Sequence, residues 1–196
     1  MPGGSSRTAL RGGSGGRPPP EEALITHFEL SLSRVRPWRL ADKPALLRYA
    51  DNPRVSRALA DRFPYPYTPA DADMWLGMAS AEDPVCNFAI EVGGEAIGGI
   101  GVEVLEAERR AGAEIGYWLG EPFWGRGIAS EALVAVAGYA FERFDIVRLQ
   151  AGVYSSNPAS ARVLEKAGFV REATMRWAII KRGEIHDLWM YARLRP

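Results

Sequence analysis

The sequence predicts one α/β (α+β) domain, a mixed, twisted central sheet of about six to seven strands flanked by about four helices. Three observations carry this expectation. Period-two strand patterns alternate with capped helical stretches in the order β, α, α, three β, α, β, α, β, β. The 196 residues are enough for one domain with a full core and few for two. The composition, 47% hydrophobic and 24% charged, is that of an ordinary globular chain, and no internal repeat interrupts it.

The elements follow in order. The first 20 residues are mostly Gly, Ser, Pro and Arg with almost nothing to bury, so they read as a disordered tail ahead of a domain over 21–196. "HFELSLSRVR" (27–36) alternates apolar and polar residues as a strand does, with Phe28, Leu30 and Leu32 on one side. "ADKPALLRYADNP" reads as a helix that Asp42 caps, with Pro44 in its first turn and Asn52-Pro53 at its end. "DRFPYPYT" is a stiff aromatic loop, after which Thr68 caps a second helix opening on Pro69 and Asp71. Gly93-Gly94 turns a hairpin, and its second strand, "IGGIGV", carries three glycines, a weakness unless another backbone or a ligand comes close. In "GAEIGYWLG" Ala113, Ile115, Tyr117 and Leu119 share one side of a strand, Glu114, Gly116 and Trp118 the other. A nearly all-apolar helix follows Gly127. Val147, Leu149, Ala151 and Val153 mark the next strand, and Asn157, Pro158 and Gly168 bound a short helix. Strands from about Thr174 to Ile180 and from Ile185 to Leu194, turning at "KRGE", close the chain.

Composition limits the function classes. Lys+Arg and Asp+Glu balance at 24 each, so net charge points to neither nucleic acid nor membrane as a partner. No apolar run reaches the length of a membrane helix, and the N-terminus lacks the apolar stretch of a signal peptide. The single cysteine, Cys86, offers neither an internal disulfide nor zinc spacing. It reads as a small apolar filler in a reducing, cytoplasmic compartment. His27 and His186 lie far from it in sequence.

The informative segment is "PFWGRGIASEALVAVAGYAF" (122–141). A helix N-terminus carries free amide hydrogens and a partial positive charge. Gly125 and Gly127 let the backbone turn tightly beside a ligand, and Arg126 adds a full charge, so the turn suits a phosphate or diphosphate. It lacks the Gly-Lys-Ser/Thr of a nucleotide triphosphatase loop. Nor does it continue as G-x-G-x-x-G directly after a strand, as a dinucleotide loop would. An acetyl-coenzyme A diphosphate loop remains, beside a plain glycine turn capped by water or Ser130.

"EIGYWLGEPFWGRGIASEAL", "RLQAGVYSSNPASARVLEKAGFVREA" and "KRGEIHDLWMYARL" together resemble the GCN5-related N-acetyltransferases (GNAT), in their ribosomal-protein alanine acetyltransferase-like, RimJ/RimL-type branch. The likeness runs from about Phe28 to Leu194. The family's diphosphate motif, Q/R-x-x-G-x-G/A, matches Trp124, Gly125, Arg126, Gly127, Ile128 and Ala129, with Trp in the first position. The resemblance implies that backbone amides here, through Ser130, hold the diphosphate of acetyl-CoA together with Arg126. It also implies that the strand before the loop splays from the one starting near Val147, so that Ile115, Tyr117, Trp118 and Leu119 line the pantetheine arm. The matching Asn-x-x-Ser would set Asn157 on the cofactor arm and Ser160 near the sulfur, and Arg162 is a candidate for a cofactor phosphate.

The implied reaction is direct attack of a primary amine, on a protein N-terminus or a small molecule, on the acetyl thioester. It needs a base, a holder for the carbonyl oxygen and an acid for the thiolate, and no metal. Glu114 and Glu103 are the candidate bases, each equally readable as a solvated strand carboxylate. Ser160 shares a helix face with Val163, Leu164 and Ala167, where a hydroxyl needs a partner, and is the first candidate acid. Tyr154 is the second, since many relatives use tyrosine. Phe63, Tyr65 and Tyr67 read either as acceptor wall or as packing, and Asp187 as structural. A homodimer is compatible with the resemblance. The alternative function is a catalytically inactive acyl-CoA-binding module on the same fold.

Overall fold

A computed structural model describes residues 27–196, so the expected tail over 1–20 lies outside the described residues. Eight strands form one sheet: β1 (Phe28–Glu29), β2 (Arg34–Pro37), β3 (Asn87–Val92), β4 (Glu95–Val104), β5 (Gly112–Leu119), β6 (Arg148–Tyr154), β7 (Val170–Lys181) and β8 (Glu184–Leu194). Their spatial order is β1-β2-β3-β4-β5-β6-β8-β7. Only β5 and β6 run parallel; every other neighbouring pair is antiparallel. Five α-helices cover the faces: α1 (Lys43–Ala50), α2 (Pro53–Arg57), α3 (Pro69–Ala79), α4 (Ile128–Arg143) and α5 (Pro158–Lys166). The expected mixed α/β architecture holds, with one strand and one helix more than the sequence patterns separated.

Each addition has a local cause. The stretch read as one strand over 27–36 is a small hairpin, because Leu30 N–H donates to Ser33 O at 2.9 Å and turns the chain between β1 and β2. Leu32 is accordingly exposed. Asn52-Pro53 follows the end of α1, as expected, and also starts α2: the Asn52 side chain accepts from Arg54 N–H, with Pro53 at the first helical position. Asp42 occupies the cap position of α1 but makes no cap hydrogen bond. Its carboxylate takes both terminal nitrogens of Arg36 (2.7 and 2.8 Å) and the Arg39 N–H (2.9 Å). Arg36 is buried and also paired with Glu91, which ties β2 and β3 to the chain entering α1. Thr68 caps α3 as expected, reciprocated by Asp71.

Two apolar layers hold the sheet. One lies under α4 and α5 and includes Ile100, Ile115, Leu133, Val136, Leu149 and Phe169. The other lies under α1 and α3 and includes Trp38, Leu46, Tyr67 and Leu76. Helix α4 buries a stripe through Ile128, Ala132, Leu133, Val136, Ala137 and Ala140. Although its sequence is apolar nearly all round, its outer face is open to solvent, with Val134 46% exposed.

The glycines of β4 answer to close neighbours. A Cβ on Gly98 would meet the Trp118 carbonyl oxygen at 2.3 Å, and one on Gly99 would meet the Trp118 and Trp38 rings at 2.9 and 3.0 Å. These bare positions let β4 approach β5 and seat Trp118 against it.

Removing one partner of a buried ion pair leaves the other charge uncompensated. Asp42→Ala is therefore expected to destabilise the fold by about 3–5 kcal/mol. The check is urea unfolding, in which the midpoint should fall while the slope is unchanged.

Candidate active site

The site is built where the two parallel strands part. Pairing between β5 and β6 is confined to Gly112–Arg148, Ala113–Leu149 and Glu114–Gln150. Beyond that point β5 stays paired with β4 through Leu119, and β6 with β8 through Tyr154. A wedge opens between them from Ile115 onward, with unpaired backbone edges on both sides. The expected splay is present, and its partner strand begins at Arg148.

At the open end of the wedge, β5 leads through a short 3-10 turn (Glu121–Phe123) into α4. Gly125 (φ 76°) and Gly127 (φ 86°) are both left-handed, and Gly127 is the helix cap with no side chain to serve it. The first amide of the helix region bonded within the turn is Ser130 N–H, which donates to Gly127 O at 3.0 Å. The amides of Gly125, Arg126, Gly127, Ile128 and Ala129 find no protein acceptor among the described residues. Trp124 donates its indole N–H to Leu119 O at 2.8 Å, pinning the turn to the end of β5. Arg126 is exposed and stacks on Phe123 at 5.4 Å. Free backbone donors beside one exposed guanidinium are the chemistry that suits an anion.

The candidate residues along β5 divide by side. The side chains of Ile115 and Leu119 are buried in the core, so it is their backbone edge that faces the wedge. Tyr117 points to the α5 side. Its hydroxyl lies 3.1 Å from Ser160 O, to which it can donate, and 2.8 Å from Ser160 Oγ, a bond in which either hydroxyl can be the donor. This is the partner that a hydroxyl on that helix face requires. Burial pushes the Tyr117 hydroxyl up to about 12, with the Ser160 hydrogen bond pulling the other way. Asn157 caps α5 by accepting the Ser160 N–H at 3.2 Å, and its own amide nitrogen has no protein partner among the described residues. Arg162 is exposed on the outer face of α5.

The opposite face holds the carboxylates. Glu103 and Glu114 stand directly across from each other on β4 and β5, at the closed end of the wedge. Like charges in register repel; here each has a neighbour to offset this. Gln150 Nε2 donates to Glu114 Oε1 at 2.9 Å, Arg109 lies 3.6 Å from the same oxygen, and Arg62 reaches Glu103 at 3.2 Å. Tyr154 alternates with the core residues Ala151 and Val153, and so falls on this face rather than beside Ser160. Its hydroxyl is raised by burial and by Asp61, and lowered by Arg62. The candidate acids thus lie on different faces of the sheet, and the wedge connects them.

The aromatic loop is now divided. Phe63 packs on Tyr67 (5.2 Å between centroids) and Trp118 (5.4 Å), and Tyr67 is buried. Trp118 therefore belongs to this packing on the α1–α3 side. Tyr65 is exposed beneath Arg182. Asp187 is structural, accepting the Trp177 N–H at a bulge of β7. Cys86 is half-buried, with burial raising its thiol. Sequence reasoning passed over Gln150 and the role of Tyr117 as Ser160's partner. The signal was there in part: Gln150 is a polar residue at an otherwise buried strand, and Tyr117 shares its side with Ile115.

Among the described residues there is no metal-binding cluster of His, Cys, Asp or Glu, and no helix long and apolar enough to cross a membrane.

Comparison with known proteins follows this geometry. The family model for the acetyltransferase (GNAT) domain matches residues 34–170. The chain is 30% identical over 165 residues to the uncharacterized N-acetyltransferase p20 of Bacillus licheniformis, a match covering 82% of this chain and 92% of that protein. It is 33% identical over 100 residues to the ribosomal-protein-serine acetyltransferase of Escherichia coli, covering 51% of this chain and 55% of that protein. The solved structure of a ribosomal L7/L12 alpha-N-protein acetyltransferase in complex with coenzyme A superimposes with a TM-score of 0.73 at 27% identity, over 84% of this chain and 95% of that one.

Tyr67 and Tyr117 are each pushed up to about 12, chiefly by burial, from the ordinary phenol value of 10.0. A raised folded value means that the stability it brings is complete below about pH 10 and is lost as pH climbs toward 12. Urea or thermal unfolding from pH 8 to 12 should show that decline, and Tyr117→Phe and Tyr67→Phe should each flatten it. An identical slope in both variants would remove the tyrosines from the account.

Proposed function

Because the chain belongs to the GNAT acetyltransferase family, we propose that it moves the acetyl group of acetyl-CoA to a primary amine by direct attack on the thioester. The observation that carries the reading is the run of unpartnered amides from Gly125 to Ala129 lying in line with the β5–β6 wedge. The diphosphate sits against those amides and Arg126, with Trp124 fixing the turn. The pantetheine arm continues into the wedge and takes up the free backbone edge from Ile115 to Leu119, as an added strand would. Asn157's free amide nitrogen faces the same arm.

Within the wedge the residues take separate tasks. Glu114, held by Gln150, or Glu103, held by Arg62, accepts the ammonium proton from the face opposite α5, directly or through one water. On the α5 face Ser160 delivers a proton to the departing sulfur. Tyr117 supports it: with its hydroxyl held up to about 12, the phenol stays protonated at neutral pH, passes a proton to Ser160 as Ser160 protonates the sulfur, and regains one from water once the products leave. Tyr154, on the acceptor face, contributes to binding the amine rather than to the thiolate. The acceptor class that fits best is an α-amine of a protein or peptide, in keeping with the named activities of the ribosomal-protein acetyltransferase relatives.

Calorimetric titration with CoA tests the mouth. Gly127→Val places a β-branched residue at φ 86° and is expected to weaken CoA binding by about tenfold or more. Retained affinity, with the helix intact by circular dichroism, would defeat the assignment. Ser160→Ala is expected to lower kcat about 100-fold while leaving CoA affinity within a factor of about two, and Tyr117→Phe to lower kcat less. Thiol release with a panel of amines and peptide N-termini reads both.

A further inference from the structure

A second concavity of about 240 Å³ lies beyond the carboxylate face, lined by Arg57, Lys181, Arg182, Glu184 and His186. It is formed where the end of α2 meets the β7–β8 turn. Lys181 is buried and neutralised by Asp61 at 2.5 Å. Glu184 has one carboxylate for two neighbours, Arg57 at 3.8 Å and His186 at 3.5 Å. Arg182 has no carboxylate within ion-pair distance among the described residues; its guanidinium touches the Pro53 carbonyl (3.3 Å) and lies over Tyr65 (5.4 Å). The pocket therefore keeps at least one guanidinium charge unmatched, beside a second that is paired only at long range.

The turn itself favours this arrangement. Arg182 (φ 52°) and Gly183 (φ 81°) form the two-residue tip of the hairpin. Such a tip prefers Asn or Gly, and an arginine in the left-handed region costs about 1–2 kcal/mol. The costly residue is the one whose charge closes the pocket.

The pocket communicates with the candidate acceptor face. Asp61, which holds Lys181, is followed by Arg62, which holds Glu103. Strand β8 gives the scale. It passes Ala192 opposite Gln150, Met190 opposite Gly152, and reaches His186 at the pocket. Four to six strand residues amount to about 13–20 Å, the reach of four to six residues of extended peptide. A small amine does not span that distance; a peptide does.

We propose that this pocket binds an acidic side chain of a peptide acceptor, about four to six positions after the reacting amine, and so selects acidic N-terminal segments. The inference rests on the acetyl-transfer reading for its direction, and it narrows the acceptor to a class. The carboxylate of the peptide takes the free face of Arg182 and competes with Glu184 for Arg57, while the peptide's amine lies toward Glu103 and Glu114.

The test is a set of neutral octapeptides with a free N-terminal amine, each carrying a single Glu walked from position 2 to position 8. With the wild-type protein and acetyl-CoA, kcat/KM should peak with Glu at positions 5–7, about two- to fivefold above the all-neutral peptide. The advantage should fade at about 0.5 M salt, where exposed charges are screened. Arg182→Asn keeps a residue suited to the turn and removes the charge; with Arg57→Gln it should bring the acidic-to-neutral ratio close to one. Arg182→Glu should reverse the preference toward a Lys-walked series. The same peptides, fluorescently labelled at the C-terminus, give binding by anisotropy without turnover. If no peptide is acetylated yet acidic ones bind better through Arg57 and Arg182, the transfer reading fails and the pocket stands. A flat profile in both kinetics and binding overturns the pocket.

Discussion

The incomplete pairing of β5 with β6 is the constraint from which the rest follows. A backbone N–H or C=O that is denied a partner must find one elsewhere, and strands in a sheet interior seldom give pairs up. Here three register pairs hold the strands together and the remainder is surrendered. The arrangement persists because each strand is fully paired on its other edge, β5 with β4 and β6 with β8. The wedge is thus a gap between two stable ribbons, and a ligand with amide groups of its own can fill it.

Several distant features become intelligible as supports of that gap. The glycines of β4 let it hug β5 so closely that a single methyl at Gly98 would strike the Trp118 carbonyl. Gln150 is the last residue of β6 in register with β5, and it is also the one that grips Glu114, so the closed end of the wedge is fastened by backbone and side chain at once. On the other face, Tyr117 reaches across to Ser160 and ties α5 to β5 where no strand pairing does. The helix mouth, Gly125 to Ala129, sits where β5 ends because Trp124 is bonded back to Leu119.

Much of this was legible in the sequence, and the reasons are local. Thr68, Asn157, Gly93-Gly94 and Gly168 each specify a turn or cap through their own chemistry, and each stands where its chemistry puts it. The glycine–arginine turn before an apolar helix was readable for the same reason, and its amides stand without protein acceptors among the described residues. The short hairpin of β1 and β2 was not legible, because alternation continues unbroken through Leu30–Ser33 and only the tertiary setting bends it. Asp42 was misjudged because a cap residue and an ion-pair partner look alike until Arg36 arrives from β2. The division of the site between two faces was hidden for a similar reason. Alternation assigns Tyr154 and Ser160 to sides of their own elements, but only the packing of α5 against β5 decides that Ser160 meets Tyr117 and Tyr154 does not.

This division has a chemical consequence. Amine attack on a thioester needs a proton removed on one side of the carbonyl carbon and supplied, later, at the sulfur. A base and an acid close enough to bond each other would exchange that proton between themselves. Placing the carboxylates on the α1–α3 face and the Ser160–Tyr117 pair on the α5 face keeps the sheet between them and leaves the wedge as the route that joins them. On the proposed transfer the acceptor enters from the carboxylate face, which is also the face bounded by Asp61, Arg62 and the β7–β8 turn. If the proposed reading holds, selection of the acceptor is adjusted at a hairpin tip without disturbing the strands that bound the wedge.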